Sequence, residues 1–103
     1  MLSTPINISA SGDNVVIPGV AGSTYNIYGV YLLSASGVSV TVKNGASVKT
    51  GPLPLTAAAP FSMPLNIEVP YLTVDSGNGL ILNLSGAVQV SGIVYFQTLV
   101  VSS

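Results

Sequence analysis

The sequence predicts an all-β fold: an antiparallel β-sandwich, jelly-roll or Greek-key like, with eight to nine short strands and no substantial helix. Three observations lead there. Apolar residues recur with period two, as in Val38, Val40 and Val42 against Ser39, Thr41 and Lys43, and Leu80, Leu82 and Leu84 against Ile81, Asn83 and Ser85. That is the pattern of half-buried strands, whose side chains alternate between faces. Val, Ile, Leu, Thr and Tyr abound while Glu, Lys and Arg, the residues of exposed helix faces, are nearly absent. Turn residues also punctuate the chain at short intervals, as an all-β domain requires.

Taken in order, "STPINIS" (3–9) reads as a short first strand with Pro5 marking an edge or an arm. "SGDN" (11–14) reads as a turn, and "VVIPGVAGS" (15–23) as a strand broken by Pro18 and Gly19. "TYNIYGVYLLSAS" (24–36) is the longest candidate of the first half, with Tyr25, Ile27, Gly29 and Tyr31 alternating against Asn26, Tyr28, Val30 and Leu32. "GVSVTVKNG" (37–45) closes on Asn-Gly, a strong hairpin signal because a two-residue turn of that type needs positive φ at both centres. "ASVKT" (46–50) then returns as a short strand.

The middle, 51–70, holds five of the seven prolines. Proline removes a ladder donor and fixes φ, so this stretch predicts a long crossover with short edge strands. "YLTVDSGNGLILNLS" (71–85) predicts a hairpin about "SGNG". Residues 79–101, uncharged throughout, alternate and carry Ser-Gly at 85–86 and 91–92, so they read as two or three antiparallel strands rather than a membrane helix.

The chain has 103 residues and no composition shift that would mark a linker, which predicts one domain over 10–103 preceded by the arm or edge strand 1–9. For 10.4 kDa the area scaling law gives a folded surface of roughly 5,400 Å² against about 15,000 Å² unfolded, enough burial for one modest core. The expected core comprises Val38, Val40, Val42, Leu80, Leu82, Leu84, Val94 and Phe96, the same-parity apolar positions of the clearest strands. Absence of Cys excludes disulfides and thiol chemistry. "MLSTPINIS" has neither the basic region nor the apolar run of a secretion signal, giving the expectation of synthesis and folding in a cytoplasm. The chain is also short for an outer-membrane barrel.

Charge is the most unusual bulk property. Lys43, Lys49, Asp13, Glu68 and Asp75 make up 5% of the chain, against about 25% in ordinary domains. Either this is a neutral, polar, soluble sandwich, or much of its surface is covered by copies of itself or a larger partner. A net charge of −1 gives little repulsion between molecules and favours the assembly reading.

Chemistry finds few candidates. Asp13 and Asp75 lie in turn-like sequences, where a carboxylate caps backbone amides, and a Ser nucleophile would lack a His base. Lys43 and Lys49 flank a hairpin, where charge guards a strand from mispairing. "DSGNG" (75–79) lacks the further acidic ligands of a calcium loop and reads as a turn. "GVAGS" (19–23) has no Lys and no following helix to make it a phosphate loop. Two Lys and no Arg disfavour nucleic acid, whose backbone must be neutralised. The expectation is therefore a non-enzyme with no catalytic residue, cofactor or metal site, and neither nucleic acid nor membrane as partner. Five tyrosines could stack on sugar rings, although Tyr is equally a good strand residue.

The order "SASGDNVVIPGVAGSTYNIYGVYLLSASGVSVTVKNG", then "TGPLPL", then "DSGNGLILNLSGAVQVSG" resembles a family of small all-β virion proteins of tailed bacteriophages. The likeness spans roughly residues 10–95. The chain departs from the family's pattern in having Tyr71 where a Trp-containing segment is more usual, and in its proline-rich middle. The resemblance implies a head decoration or cement protein on the outer surface of the virion head, with the major capsid protein as partner and a homotrimer as its own state. The alternative is a tail or fibre-associated module that binds host glycans. For a shell-binding protein the candidate contact is the uncharged segment Leu2, Ser3, Thr4, Pro5, Ile6, Asn7 and Ile8, which can add as a strand to a neighbour's sheet or form an edge strand of its own.

Overall fold

The structure is a computed structural model that describes residues 2–57, 60–64 and 68–100. Among these residues ten strands form: β1 (Leu2–Ile8), β2 (Gly12–Ile17), β3 (Ser23–Ser34), β4 (Val38–Asn44), β5 (Ser47–Val48), β6 (Leu53–Leu55), β7 (Phe61–Met63), β8 (Leu72–Val74), β9 (Leu80–Leu84) and β10 (Val90–Val100). Two antiparallel sheets form. Sheet A runs β1-β10-β3, with β7 and β8 sharing the far side of β3. Sheet B runs β2-β9-β4, with β5 and β6 sharing the far side of β4. Early strands thus pair with late ones, β1 with β10 and β2 with β9, which is the strand order of a jelly roll. The strand count exceeds the expected eight to nine because the fourth position of each sheet is split into two short pieces by the proline-rich middle and its neighbours.

All eight residues expected in the core are buried, and the sandwich closes over them together with Ile6, Ile8, Ile27, Leu32, Val74 and Val90. Tyr25 meets Phe96 edge to face at 5.7 Å, and its hydroxyl donates to the Pro18 carbonyl at 3.0 Å, so this buried ring's polar tip is satisfied. The accessible surface, 5258 Å², matches the scaling expectation for a chain of this mass.

Five local expectations are corrected. β3 does not keep one parity: Tyr25 and Ile27 point inward, but so do Val30 and Leu32. The register to β10 steps from Ile27↔Phe96 to Gly29↔Tyr95, so Tyr28 is an extra, bulged residue that inverts the alternation. The "SGDN" turn ends earlier, at Ser11, leaving Asp13 and Asn14 inside β2. The β4–β5 hairpin forms, yet its linking residues are Gly45 and Ala46 rather than Asn44 and Gly45, since Asn44 pairs with Ser47. Gly45 takes the positive φ of 58° that the turn needs. "SGNG" is not a hairpin at all. β8 pairs with β3 in sheet A and β9 with β2 and β4 in sheet B, so 75–79 carries the chain across the sandwich. Finally, Ser91-Gly92 does not interrupt β10; Gly92 lies inside the strand, near its start, where a Cβ would lie 1.8 Å from the Tyr31 carbonyl oxygen.

Candidate functional site

The segment expected to bind a partner is not a detached arm. Residues 2–8 pair with β10 along their whole length, from Leu2↔Phe96 to Ile8↔Val90, and Ile6 and Ile8 are buried in the sandwich. Alternation explains this: Ile6 and Ile8 share the inward parity, and Ser3, Pro5 and Asn7 face outward. Among the described residues no strand pairs with the other side of β1, which makes β1 an edge of sheet A.

Beside that edge, register places Pro5, Ile93 and Tyr31 in one cross-strand row on the outer face of sheet A, with Ser3 and Tyr95 in the next and Asn7, Ser91 and Leu33 in the row beyond. Tyr31 and Leu33 are exposed at 41% and 36%. Leu33, Ser34, Ala35, Gln89 and Ser91 border a shallow depression of about 260 Å³. Its polar rim is pinned: Gln89 Nε2 donates to Asn7 Oδ1 at 2.6 Å and to Ser91 Oγ at 3.2 Å. These outward rows of β1, β10 and β3 carry no Asp, Glu, Lys or Arg.

Sheet B differs. On its outer face Lys43 Nζ reaches both carboxylate oxygens of Asp13 at 3.0 Å, and Asn83 Nδ2 donates to the same carboxylate at 2.7 Å. The Asn83 hydrogen bond, with the Lys43 ammonium behind it, lowers the Asp13 carboxyl below its ordinary value. Asp13 therefore closes a cross-strand cluster over β2, β9 and β4, and among the described residues its partners are these two side chains rather than the backbone amides of a turn. Lys43 is half-buried in that cluster rather than guarding a free hairpin, and Lys49 lies exposed after β5.

Asp75 is corrected too. Its carboxylate accepts from Asn44 Nδ2 at 3.0 Å, while Asn44 Oδ1 accepts from the Asp75 amide at 3.1 Å and from Asn78 Nδ2 at 3.0 Å. The cap is Asn44, buried at 2% exposure, and it ties the crossover 75–79 to the end of β4. With two N–H groups already aimed at Asn44 Oδ1, "DSGNG" is a stitched turn. Sequence reading missed Asn44 because Asn-Gly drew attention to the hairpin; the second Asn-Gly at 78–79 was the available signal.

Of the tyrosines, Tyr25 and Tyr28 are buried, Tyr95 is half-buried, and Tyr31 and Tyr71 are exposed, with the Tyr71 hydroxyl donating to the Pro64 carbonyl. Among the described residues no three His, Cys, Asp or Glu side chains gather, and no helix is long and apolar enough to cross a membrane. No protein-family model, curated protein or solved structure matches this chain. What the arrangement offers chemically is a surface: an open strand edge continuous with a neutral, partly aromatic sheet face.

Proposed function

We propose that this chain is a structural virion protein, a decoration or cement subunit that binds the major capsid protein on the outer surface of a tailed-phage head, itself as a homotrimer. The observation that carries the reading is the segregation of charge: the outer rows of sheet A beside the open edge of β1 are uncharged, whereas Asp13 and Lys43 sit on the opposite sheet. A neutral face of Tyr31, Leu33, Ile93 and Pro5 suits burial against a protein partner, since charged residues are depleted at interface centres. The β1 edge supplies backbone groups for strand addition, with Ser3, Pro5 and Asn7 as the side chains presented on the sheet A face. The sequence resemblance supplies the virion, the head and the trimer.

Quantitative mass spectrometry of purified particles, with heads separated from tails, tests the proposal. The expected result is a fixed ratio to the major capsid protein in heads, and attachment nearly insensitive to ionic strength, as a neutral interface demands. Absence from particles overturns it. Recovery only in tails moves the protein to the glycan-binding alternative, with Tyr31 and Tyr71 as exposed rings to test. Sedimentation at micromolar concentration checks the trimer; a clean monomer that decorates heads as isolated copies refutes that part.

A further inference from the structure

The chain contains two Asn-Gly dipeptides, Asn44-Gly45 and Asn78-Gly79, and the fold brings them together at one end of the sandwich. They bond to each other reciprocally. Asn78 Nδ2 donates to Asn44 Oδ1 at 3.0 Å, and the Gly45 amide donates to the Gly79 carbonyl at 2.9 Å. Asp75 completes the knot through both carboxamide atoms of Asn44, and the Asn78 amide donates to the Asp75 carbonyl at 3.0 Å.

Asn-Gly is chemically fragile because glycine offers no side chain to hinder its own backbone nitrogen. That nitrogen, once deprotonated, attacks Cγ of the Asn. A C–N bond forms, the Cγ–Nδ2 bond breaks, and the amide leaves as ammonia after taking a proton from water. Water then opens the five-membered succinimide to aspartate or isoaspartate. Water is the sole co-reactant.

The fold itself imposes the fragile pair. A Cβ on Gly45 would lie 2.8 Å from Asn78 Cγ, and one on Gly79 would lie 2.6 Å from the Ile17 carbonyl oxygen, so neither position accepts a larger residue without displacing its neighbours. The two Asn side chains have a structural role as well, since their amides tie the crossover to sheet B. The same contacts block the reaction. Gly45 N–H is engaged by Gly79, and the Asn44 carboxamide is held by three hydrogen bonds at 2% exposure.

We infer that Asn44 is a modification site gated by folding: its amide persists in the native protein, deamidates once the chain opens, and thereby makes prolonged opening irreversible. Irreversibility follows from charge. A carboxylate at position 44 would stand where Nδ2 now lies 3.0 Å from the Asp75 carboxylate, at a nearly solvent-free site, and like charges there oppose refolding.

The test compares native protein with urea-unfolded protein at one mildly alkaline pH and temperature, using peptide mapping of both Asn-Gly peptides and refolding yield after urea removal. Because the open fraction of an ordinary domain is about 10⁻³ or less, deamidation at Asn44 should be slower in the native sample by about 10³-fold or more. The refolded fraction should be intact at Asn44. Comparable rates in the two samples, or native refolding of chains bearing Asp or isoaspartate at 44, overturn the inference. Asn78→Ser removes one bond from Asn44 Oδ1 and should speed native deamidation at Asn44 several-fold while leaving the unfolded rate unchanged; an unchanged native rate refutes the reciprocal lock.

Discussion

Leu82→Ala probes the centre of the sandwich. Leu82 lies in mid-β9, flanked by Val42 of β4 on one side and Asn14 of β2 on the other, and is 2% exposed. Truncation removes three carbons' worth of buried surface, about 2.4 kcal/mol at about 0.8 kcal/mol per methylene. β9 is paired on both sides, so the site collapses poorly. A residual cavity of roughly 80 Å³ at about 24 cal/mol per Å³ adds about 2 kcal/mol. Together these give about 4 kcal/mol, a large part of the 5–15 kcal/mol that is typical of a whole domain. Urea titration followed by far-ultraviolet circular dichroism measures it, comparing midpoints at equal slope. A loss below about 0.5 kcal/mol would show that Leu82 does not face the core and that the parity argument for β9 is wrong.

Three further outcomes are expected. Gly92→Ala should cost about 1–3 kcal/mol or more in the same titration, because its Cβ meets the Tyr31 backbone rather than a side chain that can rotate; a neutral effect would place the β3–β10 ladder differently. Ile6→Ala should cost about 2–5 kcal/mol, whereas Ser3→Lys, on the outward parity of β1, should change stability by less than about 0.5 kcal/mol; equal, negligible effects would make β1 a loose arm after all. Asp13 has a lowered folded pKa, so its contribution is fully present above the ordinary carboxylate value and is lost as pH falls through that value to the folded one. Carbon-detected NMR titration should show Asp13 moving back towards the ordinary range in Asn83→Ala, and a titration unchanged by that substitution would refute the hydrogen-bond cause.

Much of the fold was legible because burial writes period two into sequence. β4 and β9 alternate cleanly, so their inward faces could be named residue by residue. The proline-rich middle likewise announced short edge strands, and β6 and β7 are such strands. What escaped was whatever depends on partners distant in sequence. The bulge at Tyr28 exists only opposite Phe96 and Tyr95, and nothing local to "NIYG" requires it. "SGNG" has the composition of a hairpin turn, and only the membership of β8 and β9 in different sheets makes it a crossover. The candidate surface was half legible: its lack of charge was visible, but the row joining Pro5, Ile93 and Tyr31 is assembled by strands about 30 to 90 residues apart in the chain.

The splitting of the fourth position in each sheet gives the molecule a direction. On one side, β5, β6, β7 and β8 offer ladders of only two or three residues, with Pro54 within β6, so a strand arriving there finds little to grip. On the other side, β1 and β2 are longer; β1 carries Pro5 near its middle, and β2 has an irregular step in its pairing with β9 near its end, between Val15 and Ile17. Sheet extension is thereby restricted beyond β3 and β4 and at Pro5 of β1, which matters for a chain with a net charge of −1 that has almost no electrostatic means of keeping its copies apart. A neighbour can lie along β1 only as far as the proline permits, so recognition there is confined to a short strand, and runaway fibre growth is discouraged by the same residue.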